Sequence, residues 1–220
     1  RFALVFAGFF YLFLGLVFVR KTLKLFFKEF VVAIVLLAIA MGTNLFYYST
    51  HEAAMSHVFS FSLISIFVFL SIRWHENQGW KRTIIIGLIF GLTVLVRPTN
   101  IIVLLFFILW DVKSWDELWN RIIFFLRRFD LVLLMFAFFI LVWFPQFLYW
   151  KTVTGQWLYY SYGAKDANFF FLNPQIYNIL ISYKKGWFVY TPLMAVAFIG
   201  IFFMLKNFKK AFWGILLYIL

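Results

Sequence analysis

Apolar runs of 15 to 22 residues recur along the whole chain, each ended by a short polar cluster. Runs of that length match the hydrocarbon thickness of a bilayer when coiled as α-helix. Barrel strands would need stretches of about ten residues in strict alternation, and these are absent. The pattern predicts an all-α, polytopic transmembrane helical bundle, with spans at Phe2–Val19, Phe30–Ser49, Ala53–Ile72, Phe129–Trp150 and Phe188–Leu205 and a further run from Ala211 onward. Between Thr83 and Trp110 lies a 28-residue apolar stretch broken in the middle by "RPTN", Arg97 to Asn100. It reads either as one over-long helix or as two short helices in a tight hairpin.

Charge chooses between these options, because they reverse the sidedness of everything downstream. With a hairpin, "RKTLKLFFKE", "RWHENQGWKR", "DVKSWDELWNRIIFFLRR" and "KNFKK" share the cytoplasmic side and hold 14 Lys and Arg against 6 opposite. A single helix gives 11 against 8 and strands Arg97 at mid-bilayer, at a cost of at least ~2.5 kcal/mol. Pro98 removes a backbone donor and disfavours helical geometry at Arg97. The hairpin is therefore expected, with residues 151–187 as a long extracytoplasmic loop. In "SWDELWNRIIFFLRR", Ser114 is the expected N-cap and Glu117 completes a capping box, on an amphipathic helix at the inner surface. On this reading the cytoplasmic loops are plain anchors.

Composition sharpens the class. The chain is 65% hydrophobic and 13% charged, far from soluble usage. Its net charge of +12 is spread over the ends of apolar runs rather than along one stripe, which argues against nucleic acid. No cysteine is present, so disulfides, thiolate catalysis and Cys-based metal sites are excluded. Neither a Walker-type Gly-rich loop nor a G-x-S-x-G elbow occurs, leaving ATP-driven transport and serine hydrolysis without support. The run at Phe2–Val19 lacks the flanks of a signal peptide. Starting at Arg1 and stopping inside "AFWGILLYIL", the chain is expected to be a piece of one transmembrane domain, 1–220, truncated at both ends.

Three polar clusters fall on the extracytoplasmic side of this threading. "YSTHEAAMSH" carries His51, Glu52 and His57 between two apolar runs. A helix beginning near Ser49 would align Ser49, Glu52, Ser56 and Ser60 in one stripe, with His51 beside it and His57 turned toward lipid or loop. Such a carboxylate can act on a hydroxyl acceptor as a base or hold a divalent ion, and ionisable groups in such places are functional by default. Arg97 at the hairpin apex suits phosphate oxygens, its planar fork binding two at once. The plain alternatives are an interfacial loop reaching water for the first cluster and a snorkelling arginine for the second. In the long loop, Trp157, Tyr159, Tyr162 and Trp187 offer aromatic faces to sugar rings or lipid, and Lys184 and Lys185 lie at headgroup level. Asp166 reads as a turn residue.

The succession of "GTNLFYYSTHEAAMSH", "GLTVLVRPTN" and "YWKTVTGQWLYYSYG…FFFLNPQI…SYKKGWFVYTP" resembles the GT-C class of membrane glycosyltransferases, over roughly Phe30 to Leu205. Its nearest likeness is to bacterial members related to protein O-mannosyltransferases and the lipid A aminoarabinose transferase. The resemblance implies a multi-pass protein of the bacterial inner membrane that moves a sugar from a polyprenyl-phosphate donor to a lipid, glycan or protein acceptor at the outer face. It also implies a catalytic carboxylate on the first outer loop, expected upstream of Arg1, so that no catalytic acid is assigned here. Arg97, Lys184 and Lys185 become candidates for the donor phosphate, and Trp157, Tyr159, Tyr162 and Trp187 for sugar or lipid. Glu52, His51 and His57 are candidate helpers of catalysis. No cofactor is required by this reading, and a divalent metal at Glu52 is the one candidate. A transporter or flippase of lipid-linked sugars is the competing class, and a structural membrane subunit the third.

Overall fold

The computed structural model describes residues 2–159, 175–183 and 186–219. Twelve α-helices and one 3₁₀ segment make up these residues, with no strand among them. They are α1 Phe2–Leu23, α2 Glu29–Gly42, α3 Leu45–Thr50, α4 His57–Glu76, α5 Trp80–Val96, the 3₁₀ segment Pro98–Val103, α6 Leu104–Leu109, α7 Trp115–Arg127, α8 Phe129–Thr154, α9 Ile176–Ile181, α10 Trp187–Tyr190, α11 Leu193–Asn207 and α12 Lys209–Ile219. Of these, α1, α4 and α8 are long and apolar enough to cross a membrane. Large apolar side chains such as Phe13, Phe136 and Phe202 stand on the outside.

Two predicted spans are interrupted. The run Phe30–Ser49 breaks after Gly42, where Thr43 is extended, and resumes as the short α3. The run Phe188–Leu205 breaks at Thr191–Pro192, because Pro192 cannot donate to the preceding turn.

Side-chain pairing fixes the directions of the helices. Gly8 approaches Ser49 and Ala53 while Gly15 approaches Phe61 and Ser62, so α1 runs parallel to α4. Trp74 Nε1 donates to Thr83 Oγ1 at 2.8 Å, and Phe67 meets Phe90, so α5 is antiparallel to α4. On α5, Gly87 and Gly91 let α8 come close: a Cβ at Gly87 would lie 2.7 Å from the Met135 carbonyl oxygen, and one at Gly91 would lie 2.9 Å from Val142 Cβ. Small residues four apart are a recurrent device for such close helix contacts.

The chain reverses after Arg97. Asn100 lies beside Ser60, and Phe107 beside Phe67 and Trp74, so Pro98–Leu109 descends alongside α4. Arg97 is extended, as the residue before a proline tends to be, and Pro98 opens the 3₁₀ segment. The bundle thus has a His57 end and a His75 end. All four segments of the predicted cytoplasmic set meet at the His75 end: Phe26 packs on Trp110 and Phe208, Arg121 bonds His75, and Asp111 bonds Lys210. Ser114 caps α7 by accepting from the Glu117 amide, while the Glu117 carboxylate accepts from the Lys113 amide, one residue earlier than a standard capping box.

Candidate functional site

A cavity of about 760 Å³ opens at the His57 end. Its position follows from the reversal after Arg97. Asn100 is buried and donates from Nδ2 to Ser60 Oγ and to the Thr93 carbonyl, both at 3.0 Å, which ties the 3₁₀ segment to α4 and α5. With Asn100 held from both sides, Arg97 is left exposed at the cavity mouth. No carboxylate pairs with its guanidinium among the described residues. Its charge interacts with His57 and Tyr218, which line the same space.

His57 opens α4 and packs on the Tyr48 ring, with centroids 4.1 Å apart. Trp187, at the start of α10, adds an indole to the lining. Below this polar mouth the cavity follows one stripe of α4: His57, Ser60, Phe61, Ile64, Ser65 and Val68. Their spacings of three and four residues keep them on one face over about 16 Å of helix. Opposite lie Val19 and Leu23 of α1 and Met194 of α11. Several hydroxyls of the lining are already engaged with their own helices: Thr22 donates to the Phe18 carbonyl, Thr43 to Ile39 and Ser65 to Phe61. The result is an amphiphilic space with a cation, an imidazole and phenols at one end and largely apolar walls beyond.

The expectations for "YSTHEAAMSH" need correcting. Because α3 ends at Thr50 and α4 begins at His57, Ser49, Glu52, Ser56 and Ser60 do not share one helix. Ser49 is buried where α3 meets Gly8 of α1. Glu52 lies in the turn between the helices and does not line the cavity. His51 is exposed, stacks on Tyr47 and shares a 2.8 Å hydrogen bond with Thr50 Oγ1. His57, expected to face lipid or loop, faces the cavity instead, because the helix starts at it rather than near Ser49. No group of three His, Asp or Glu side chains that could hold a metal ion occurs among the described residues.

In the long loop, Trp157 and Tyr159 are exposed and lie away from the cavity lining. Tyr162, Asp166, Lys184 and Lys185 fall outside the described residues. Sequence reasoning missed Tyr48, although it lies in the quoted stretch, and Tyr218, which sits in a plain apolar run.

The His75 end is more than a set of anchors. Arg121 Nη1 lies 2.6 Å from His75 Nδ1, and its Nη2 donates to the Trp110 carbonyl at 2.9 Å. A guanidinium can only donate, so Nδ1 accepts and Nε2 carries the proton that goes to the Phe107 carbonyl at 2.7 Å. This neutral imidazole fastens α7 to α4 and α6. Burial lowers the Arg121 pKa from its ordinary value, and the nearby Asp111 and Glu117 carboxylates oppose that shift.

No protein-family model, curated protein or solved structure matches this chain.

Proposed function

We propose that this chain is part of a multi-pass membrane glycosyltransferase that moves a sugar from a polyprenyl-phosphate donor to an acceptor at the extracytoplasmic face of the bacterial inner membrane. The observation that carries the reading is the cavity itself: Arg97, free of any carboxylate among the described residues, stands at its mouth, and a wall of α4 leads away from it in which Phe61, Ile64 and Val68 alternate with Ser60 and Ser65. A phosphodiester with a long hydrocarbon tail has the same division of chemistry. The quoted likeness to GT-C enzymes, and the gathering of the Lys- and Arg-rich connections at the opposite end, support the same assignment and orientation.

In the proposed reaction an acceptor hydroxyl or amine attacks the anomeric carbon. The carbon–oxygen bond to phosphate breaks, and its electron pair leaves on the phosphate oxygen. Arg97 stabilises that developing charge by bidentate hydrogen bonding. The acceptor proton must pass to a base. Of the three helper candidates His57 is the one that lines the cavity, and an imidazole there can take a proton or hold the acceptor.

The test uses the full-length protein in membranes, with a labelled polyprenyl-phosphate sugar as donor. Arg97→Ala should reduce transfer by roughly two orders of magnitude or more, as loss of a charge-stabilising donor does, with protein level unchanged. Transfer at the wild-type rate by Arg97→Ala would remove the reading. Movement of the labelled lipid across the bilayer without sugar transfer would favour the transporter class.

A further inference from the structure

We propose that the His75 end carries a binding site for one anionic phospholipid of the cytoplasmic leaflet, with its phosphate among Lys113, Lys206, Lys209 and Lys210 and an acyl chain in the adjoining apolar cavity. The site rests on the membrane orientation argued above but not on the transferase chemistry.

Two cavities carry the proposal. One, of about 360 Å³, is lined by Lys113, Lys206, Lys209 and Lys210 with Phe26 and Phe208. The other, of about 290 Å³, is lined by Leu109, Val112, Trp115, Leu118, Trp213 and Leu217. Lys113 lines both, so a basic chamber adjoins an apolar one. Their order suits a lipid in the inner leaflet. Lys209 and Lys210 open α12, and Trp213 and Leu217 lie one and two turns further along it, toward the bilayer core. Tryptophan at the boundary between the two is at home at headgroup depth.

The basic chamber is preorganised. Asp111 adopts the left-handed backbone region, with φ 60°, which a short polar side chain tolerates. Its amide donates to the Lys210 carbonyl at 2.7 Å, locking the loop before α7 onto the start of α12. The Asp111 carboxylate pairs with Lys113 at 2.9 Å and with Lys210 at 3.7 Å, and Glu117 accepts from the Lys113 amide. No carboxylate pairs with Lys206 or Lys209 among the described residues, so their charge is uncompensated. From the rim of the apolar chamber, which Trp115 itself forms, α7 carries Trp115, Trp119, Ile122 and Leu126 as exposed side chains at spacings of four, three and four. Trp115 is 86% exposed and Trp119 64%. These four fall on a stripe about 60° wide, so α7 lies flat with this edge in the acyl region, and the lipid proposed here fills the corner between α7 and α12. Basic pockets between helices at this depth are known receptors for anionic headgroups.

The intact protein, extracted from nanodiscs containing equal dioleoylphosphatidylglycerol and dioleoylphosphatidylcholine, is to be examined by native mass spectrometry. One phosphatidylglycerol adduct should persist and phosphatidylcholine should be lost. In Lys206→Gln/Lys209→Gln, whose lysines are exposed and have no carboxylate partner among the described residues, retention should fall on the order of tenfold. Lys206→Arg/Lys209→Arg should restore it. Leu217→Gln should weaken retention with the lysines intact, and millimolar inorganic phosphate should not displace the lipid. Equal retention of both lipids, or full retention in the double Gln variant, overturns the site. Displacement by inorganic phosphate would make it a phosphate site rather than a lipid site and overturn it as stated. Arg97→Ala should keep the adduct whatever its effect on sugar transfer.

Discussion

His75 and Arg97 received opposite treatment from the fold. His75 is engaged through both ring nitrogens, one toward Arg121 and one toward the Phe107 carbonyl. A group so fully satisfied is structural, and its removal strands two polar partners in a half-buried place. We expect His75→Ala to cost about 1–3 kcal/mol, read as a fall in melting temperature in detergent. Arg121→Lys should cost a similar amount, because a single ammonium cannot serve both His75 and the Trp110 carbonyl as the planar fork does. In the double variant His75→Ala/Arg121→Ala the losses should be less than additive, since both report one network. Arg97, by contrast, has its guanidinium at a cavity mouth with no carboxylate partner among the described residues, so its replacement should change activity and leave the melting temperature nearly unchanged.

Helix packing depends on a few close approaches rather than on bulk hydrophobicity, since α1, α4 and α8 are all strongly apolar. On α5, Gly87 and Gly91 face the backbone and β-carbons of α8. Gly87→Leu should separate α5 from α8 and destabilise the bundle by about 1–3 kcal/mol, as overpacking does. Gly200, with nothing within 4 Å of the position of its Cβ, provides the control: Gly200→Ala should leave thermal stability essentially unchanged or slightly raised. At α7 the Ser114 cap should be worth about 0.5–2 kcal/mol, and Ser114→Ala should fray the first turn, seen as faster amide exchange at Trp115–Glu117.

At the scale of the whole molecule, direction matters most. The absence of cysteine makes single-cysteine labelling direct. In intact cells, Ala54→Cys beside the His57 end should react with a membrane-impermeant maleimide, while Gly79→Cys, between α4 and α5, should react only after the membrane is opened. Labelling of Gly79→Cys alone would place the cavity of Arg97 and His57 at the cytoplasmic face and overturn the proposed orientation, and labelling of both from outside would mean that α4 does not cross the membrane.

Much of the helical architecture was legible in the residue order, because the length of an apolar run and the charges that flank it are local properties of the chain. Run lengths alone marked α1, α4 and α8 as helices of spanning length. Pro98 announced the reversal, and Ser114 with Glu117 announced the start of α7. The interruptions at Thr43 and Thr191 were less legible, since an apolar run looks the same whether it continues or breaks.

The contents of the site were a different matter. Which way His57 turns depends on whether α4 starts at residue 49 or 57, and in the fold Ser49 and Ala53 lie before that start, against Gly8 of α1. Tyr218 joins Arg97 from more than a hundred residues away. Lys113 meets Lys206, Lys209 and Lys210 because the Asp111 amide bonds the Lys210 carbonyl and Phe26 packs on both Trp110 and Phe208, contacts between distant connections. Periodicity and charge balance are written along one dimension and fix which segments are helical and which ends they share. The partners of a side chain across a bundle are chosen by close packing among helices, and only the tertiary structure made that choice.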